Sequence, residues 1–213
     1  MFIYNTHNRI YIKTIMTIEV KILNRKAKKQ IEKYREDGWN IVDVTSKCGS
    51  ENIVFSPFYP HGNIPIPGKK DLFADSVEGI WQGLKKFENG GTDYRKFYIR
   101  NMTNIKRSCR KYGNLLGHDY TDGINGTDEK ILDYCEARKR IYLPAYTWVL
   151  KNKLRVQLFN ILENCGNRIV LLDYSTNEDI DDLSTPLSHA SIIKAFLFKY
   201  SGSTNFKNKC WTI

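Results

Sequence analysis

The chemistry most worth weighing in this sequence sits on one predicted helix. Glu78, Gln82 and Lys85 follow one another at i, i+4 and i+7, with Trp81 beside them. At ~100° per residue the three share a narrow stripe, so a carboxylate, an amide and an amine point the same way. Facing a pocket, this stripe offers a flat ring for stacking, a carboxyl for moving a proton, and an amine whose proton affinity drops at an apolar border. Lys85 is then a usable nucleophile and Glu78 its proton shuttle. Facing water, Glu78 merely completes a capping box with Asp75, and Lys85 is solvated. Spacing by itself does not choose between these two readings.

The other reactive side chains are dispersed. Cys48, Cys109, Cys135, Cys165 and Cys210 are odd in number and never form Cys-x-x-Cys, which predicts reduced thiols rather than a disulfide framework or a structural zinc site. His7, His61, His118 and His189 form no His-Glu-x-x-His, so neither a metal nor a cofactor is expected.

The elements that must position the stripe are mostly helical. Asn24 is a candidate N-cap and Gly38 a candidate left-handed terminator, which predicts a basic amphipathic helix from Arg25 to Asp37, followed by a strand from Trp39 to Val44. Four prolines between Phe55 and Lys70 predict a stiff loop or short strands. Asp75-Ser-Val-Glu78 then opens a helix whose apolar positions Val77, Ile80, Trp81, Leu84 and Phe87 carry it to Gly90-Gly91. Further helices are predicted over Asp93 to Asn101, Thr103 to Tyr112, Asp128 to Tyr142, Pro144 to Asn164, and Ser188 to Tyr200. Arg168 to Tyr174 reads as a buried strand followed by an acidic loop. The sum is an α+β fold, mainly α, of packed helices with a few short strands.

A chain of 213 residues, 41% hydrophobic and 26% charged, suits one globular domain. The first fifteen residues read as a dispensable extension, with Met16 as an alternative start and 16–213 as the domain. No stretch approaches the roughly 18 apolar residues of a membrane span, and the N-terminal run is too polar for a secretory signal, which predicts a cytoplasmic protein without a membrane partner. The net charge is +10 (33 basic against 23 acidic residues). From Tyr94 to Lys111 there are seven basic residues and no acid, interleaved with Phe97, Tyr98 and Tyr112. That pattern fits either a solvated face or a nucleic-acid surface. From Leu171 to Ser188 there are five acids and no base.

Two blocks resemble a known family. Phe55-Ser-Pro-Phe58, followed by Ser76-Val-Glu-Gly-Ile-Trp-Gln-Gly-Leu-Lys85, is similar to the Phe-Ser-Asn-Phe and Ser-x-Glu-His-x-x-Gln-x-x-Lys-Phe signatures of the NADAR (YbiA-like) N-glycosidases, a family that includes ADP-ribosyl-guanine glycohydrolases. Weaker matches follow at Val149-Leu-Lys-Asn-Lys-Leu154 and at Ser188, so the resemblance runs from about Val54 to Tyr200. It implies a pocket for an ADP-ribose-like or ribosyl-pyrimidine substrate, with Glu78 and Lys85 catalytic and Gln82 binding. Phe58 and Trp81, inside the matched blocks, would stack on a ring. The sequence departs from the pattern at Pro57, at Gly79 and in the loop Asn177 to Ser184. Hydrogen bonds lost with those groups fall to Ser56, Tyr59, Asp181 or His189.

The function this implies is cleavage of a base-nitrogen to ribose bond, foremost removal of ADP-ribose from modified guanine in DNA, as an anti-toxin or phage anti-defence activity would require. The same chemistry on a riboflavin-pathway intermediate, and an inactive binder of ADP-ribose or nucleic acid, are the alternatives.

Overall fold

A computed structural model of the chain describes residues 3–6, 9–12, 17–122 and 128–202. In chain order its elements begin with β1 (Ile3–Thr6), β2 (Arg9–Ile12), β3 (Glu19–Asn24), α1 (Lys28–Glu36) and β4 (Asn40–Asp43). The middle of the chain holds β5 (Ile64–Pro65), β6 (Phe73–Ala74), α2 (Val77–Leu84), β7 (Lys85–Phe87), α3 (Cys109–Tyr112), β8 (Leu115–Asp122) and β9 (Asp128–Leu132). The last third holds α4 (Tyr134–Ala137), α5 (Leu143–Asn152), α6 (Arg155–Asn164), β10 (Arg168–Asp173) and α7 (His189–Ser201). The fold is mixed α+β and mainly helical, as the sequence predicts.

One sheet organises the core. Strand β10 lies between β3 and β4 and runs parallel to both. It is apolar at every position from Ile169 to Leu172 because both faces are covered. Ile169 and Leu171 enter the main core with α2, α5, α6 and α7. Val170 and Leu172 point the other way, onto Ile31 of α1 and Trp39. Strands β1 and β2 pair only with each other among the described residues. The predicted Met16 start and Cys210 lie outside the described residues.

The predicted elements shift wherever a tertiary partner outbids local propensity. Asn24 does not cap α1: it ends β3, and its side chain accepts a hydrogen bond from the Lys26 N–H in a tight turn before the helix. The predicted helix from Asp75 to Gly90 stops at Leu84, because Lys85 turns extended (ψ 123°) and its strand pairs with β8. Its N-cap is Ser76 rather than Asp75, with Ser76 Oγ accepting from the Gly79 N–H at 3.0 Å. Asp75 instead binds Arg100 Nε at 2.9 Å. Tyr94–Tyr98 is a 3-10 turn in place of a longer helix, and only Cys109–Tyr112 of the 103–112 segment is helical. The predicted 128–142 helix begins as strand β9, with Asp133 then capping α4. The long helix predicted to Asn164 breaks at Lys153 and Leu154, whose N–H groups share the Val149 carbonyl while Leu154 drops into the core.

Two glycines explain how α2 is seated. A Cβ at Gly79 would lie 2.7 Å from the Lys96 carbonyl oxygen, and one at Gly83 would lie 2.3 Å from the Phe97 ring. Gly79 and Gly83 therefore form a flat stripe against which the Tyr94–Tyr98 turn packs. The opposite face of α2, with Glu78, Trp81 and Gln82, is left for the cavity described next.

Candidate active site

A cavity of about 320 Å³ is lined by Glu78, Trp81, Gln82, Lys85, Lys106, Arg107, Tyr134, Arg138, Tyr142, Pro186 and Leu187. Glu78 and Gln82 of the predicted stripe therefore face a pocket from α2, and Lys85 reaches it from β7, past the end of the helix. Because the N-cap is Ser76, Glu78 has no capping role. Its N–H donates to the Pro57 carbonyl at 2.8 Å, which docks the Phe55–Phe58 segment on the start of α2. Its carboxylate turns inward.

Gln82 fixes that carboxylate. Gln82 Nε2 donates to Glu78 Oε1 at 2.8 Å, while Gln82 Oε1 accepts from the Arg107 N–H at 2.9 Å. The amide is thus held at both ends and cannot flip without losing one bond. Arg107 in turn donates to the Lys85 carbonyl (2.6 Å) and the Gly91 carbonyl (2.7 Å), with its guanidinium against the adjacent Phe87 and Tyr112 rings. This arginine anchors the strand residue that follows the helix, and so aims the Lys85 side chain.

The two ionisable groups are displaced toward each other. Burial raises the Glu78 carboxyl above its ordinary range, with the Gln82 hydrogen bond and the Lys106 and Lys85 charges opposing. Burial also lowers the Lys85 ammonium, with the Glu78 charge opposing. For both groups burial outweighs the mutual attraction, so each is moved toward its uncharged form.

Trp81 forms the floor. Its ring lies 4.0 Å from His118, edge-on to Tyr134 at 5.7 Å and to Tyr142 at 5.8 Å, with Lys85 Nζ 5.9 Å from its centroid. The opposite wall is a helix interrupted by a π turn over Arg138–Tyr142, between α4 and α5. A π turn takes an extra residue per turn, so Tyr134, Arg138 and Tyr142 at four-residue spacing keep to one side. Burial holds the Tyr142 phenol well above its ordinary pKa, leaving a neutral hydroxyl.

The lining is electropositive. Lys85, Lys106, Arg107 and Arg138 stand against the one carboxylate of Glu78. Arg138 is 2% exposed and donates to the backbone carbonyls of Ile180, Asp182 and Thr185, which holds the acidic loop at the rim and sets Pro186 and Leu187 into the wall. The Nε atoms of Arg107 and Arg138 have no hydrogen-bond partner. Among the described residues, no group of His, Cys, Asp and Glu gathers to hold a metal.

The structure thus brings together Glu78, Trp81, Gln82 and Lys85, and places the other predicted residues elsewhere. Ser56 is buried, with Oγ accepting from the Phe58 N–H. Phe58 sits outside the lining, its ring 5.5 Å from Lys106 Nζ. Tyr59 packs on His61 at 4.9 Å. Asp181 is exposed and pairs with Lys139 at 2.6 Å. His189 is buried between the Val44 carbonyl (2.8 Å) and Asp173 (2.9 Å), where it ties α7 to the sheet.

The sequence reading missed Tyr134, Arg138, Tyr142, Pro186 and Leu187. The four-residue spacing of the first three is a visible signal, but a stripe alone does not say what it faces. Lys106 and Arg107 belong to the basic run. Lys106 is exposed, whereas Arg107 is buried, so that run is not uniformly a surface.

Residues 23–193 match the model of a family of unknown function (DUF6939), and the chain belongs to that family. No curated protein and no solved structure matches it. No described helix is long and apolar enough to cross a membrane.

Proposed function

We propose that the protein is an N-glycosidase that cleaves the bond between a base nitrogen and the anomeric carbon of a phosphorylated ribose, with ADP-ribosylated guanine in DNA as the foremost substrate. The observation that carries this reading is the meeting of a desolvated carboxyl and a desolvated amine, Glu78 and Lys85, in one cavity floored by Trp81. The resemblance of the two sequence blocks supports it independently, and the cationic lining suits a phosphate-bearing ligand.

In this mechanism the electron pair of Lys85 Nζ forms a bond to the anomeric carbon as the carbon–nitrogen bond to the base breaks. The departing nitrogen takes the proton of the Glu78 carboxyl. The attached amine, now carrying an extra proton, returns one to Glu78. The sugar ring opens to an imine, and water hydrolyses it, releasing free sugar and restoring the amine. The net change is one water added across the glycosidic bond. Gln82 holds the carboxyl toward the cavity throughout, and Trp81 keeps the amine in apolar surroundings.

The test is incubation with DNA bearing ADP-ribosyl guanine, with free ADP-ribose and restored guanine quantified. Release of both in equal amounts supports the reading, and absence of release overturns that substrate. A phosphorylated ribosyl-pyrimidine in a parallel reaction distinguishes the alternative small-molecule substrate.

A further inference from the structure

His118 on β8 is wholly enclosed (0% exposed), yet neither of its ring nitrogens has a hydrogen-bond partner. Burying an imidazole in this way costs free energy that a phenyl or leucine side chain at the same place would not. Its position gives the reason. Across the β7–β8 ladder its partner residue is Lys85, so the two side chains project from the same face of the sheet as close neighbours. Both converge on Trp81, the imidazole at 4.0 Å and the amine at 5.9 Å. Lys85 Nζ likewise makes no hydrogen bond or ion pair among the described residues.

We propose that His118 is the positioning residue for the Lys85 amine: when Nζ turns from its resting place toward the unpartnered imidazole behind the pocket wall, the neutral ring accepts its hydrogen bond and so aims the nitrogen's electron pair into the cavity. The inference deepens the glycosidase reading and rests on Lys85 being its nucleophile.

A neutral acceptor suits this task better than a carboxylate would. A second negative charge beside Lys85 would hold its proton in place, whereas a neutral imidazole orients the nitrogen while favouring the charged form less than a carboxylate would. The groups that act on Lys85 are Glu78, Cys109, Lys106 and Arg107, and the charge that acts on His118 is Lys85 itself. Asp119, next on the strand, binds Lys69, while the residue opposite His118 on β9 is Leu132 and α4 presents Tyr134 to Trp81. Burial and the Lys85 charge lower His118 to about 3, so it stays an acceptor across the physiological range.

The experiment follows reductive alkylation of Lys85 by glycolaldehyde and cyanoborohydride over a pH series, with the Lys85 adduct quantified by mass spectrometry and melting temperature recorded alongside. In His118→Phe, which keeps the stack on Trp81, the high-pH plateau rate should fall by about tenfold or more with no rise in the midpoint. His118→Gln, a neutral acceptor, should restore most of the plateau. His118→Glu should raise the midpoint by about one pH unit or more. An unchanged plateau in the phenylalanine variant, or a loss that glutamine does not restore, overturns the inference, and His118→Leu carries the same comparison if the phenylalanine variant does not fold. Because the readout is alkylation, this pattern in a protein that releases no ADP-ribose removes the glycosidase reading alone, whereas normal glycosidase activity in a folded His118→Phe removes the positioning role alone.

Discussion

Lys85 and Glu78 gain their reactivity from placement rather than from type. Both residues are common on exposed helices, where each keeps its ordinary charge. Here Lys85 is the first residue past the helix, its carbonyl held by Arg107, and Glu78 is held by Gln82. Lys85→Ala and Glu78→Gln should each lower turnover by on the order of a hundredfold or more with melting temperature unchanged. Borohydride added during turnover should trap a sugar adduct on Lys85. Full activity in Lys85→Ala removes the covalent mechanism, and full activity in both variants moves the site off α2. The lowered Lys85 pKa sets the sign of a further expectation: reaction of the amine rises with pH through a midpoint below the ~10.4 of an ordinary lysine. A titration of Lys85 modification that matches a surface lysine would contradict the burial argument.

At the scale of the element, α2 works because it is bare on one side. Gly79 and Gly83 admit the Tyr94–Tyr98 turn, and that turn carries the Phe97 carbonyl to the Asp75 N–H at 2.7 Å, immediately before the helix. Glycine within a helix costs roughly 1 kcal/mol against alanine, so both positions invite stabilisation by alanine if only propensity mattered. The 2.3 Å approach of a Cβ to the Phe97 ring reverses that expectation at position 83. Gly83→Ala should lower stability by about 1–3 kcal/mol, as overpacking of a filled core does. Chemical denaturation measures it, and a gain in stability would show that Phe97 yields freely. The same crowding leaves no room for a side chain at position 79, where a Cβ would lie 2.7 Å from the Lys96 carbonyl oxygen: its face meets backbone, not the pocket.

At the scale of the molecule, buried histidines set the response to acid. His118 binds a proton readily only when unfolded, since its folded pKa is near 3 against an ordinary 6.5. The unfolded chain therefore takes up the extra proton as pH falls below about 6.5, and stability declines progressively toward pH 3. Asp173, whose carboxyl is lowered by His189 against the effect of burial, loses its contribution on the same acid side. His189 has the opposite sign: burial opposes its charge, but Asp173 holds its pKa above the ordinary value, so its contribution is complete below that value and fades as pH rises through the raised one. Melting temperature should drop between pH 7 and pH 4, and His118→Phe should flatten part of that drop. An identical pH dependence in the variant would mean that His118 protonates freely in the fold. The net charge of +10 makes a second expectation at this scale. If a nucleic acid approaches along the exposed Lys106, Arg110 and Lys111, affinity should fall linearly in log[salt], with the slope shallower by about 0.9 for each phosphate contact removed on duplex DNA. A slope unmoved by Lys106→Gln, Arg110→Gln and Lys111→Gln together would place the contact elsewhere.

The local features legible in the sequence were those written by near neighbours. The pairing of Glu78 with Gln82 on α2, the buried apolar run of β10, the terminal helix after Ser188 and the basic amphipathic α1 each depend on spacing within about one or two helical turns or one strand, and each appears at or near its predicted place, whereas Lys85 joins the first two from β7 and not by helical spacing. The closing of α2 at Leu84 depends instead on β8, far along the chain, and the break at Lys153 on the core that receives Leu154, while the strand at Asp128–Leu132 forms because the neighbouring β8 is already fixed against β7. Local propensity carries no record of these. The cavity wall of Tyr134, Arg138 and Tyr142 needed a π turn and a docked acidic loop to face Trp81. Residue types were therefore determined by the sequence alone, whereas burial of the carboxyl and amine together was decided only by tertiary packing. Desolvation, which gives both groups their shifted proton affinities, is a property of everything around a side chain and not of its position in the chain.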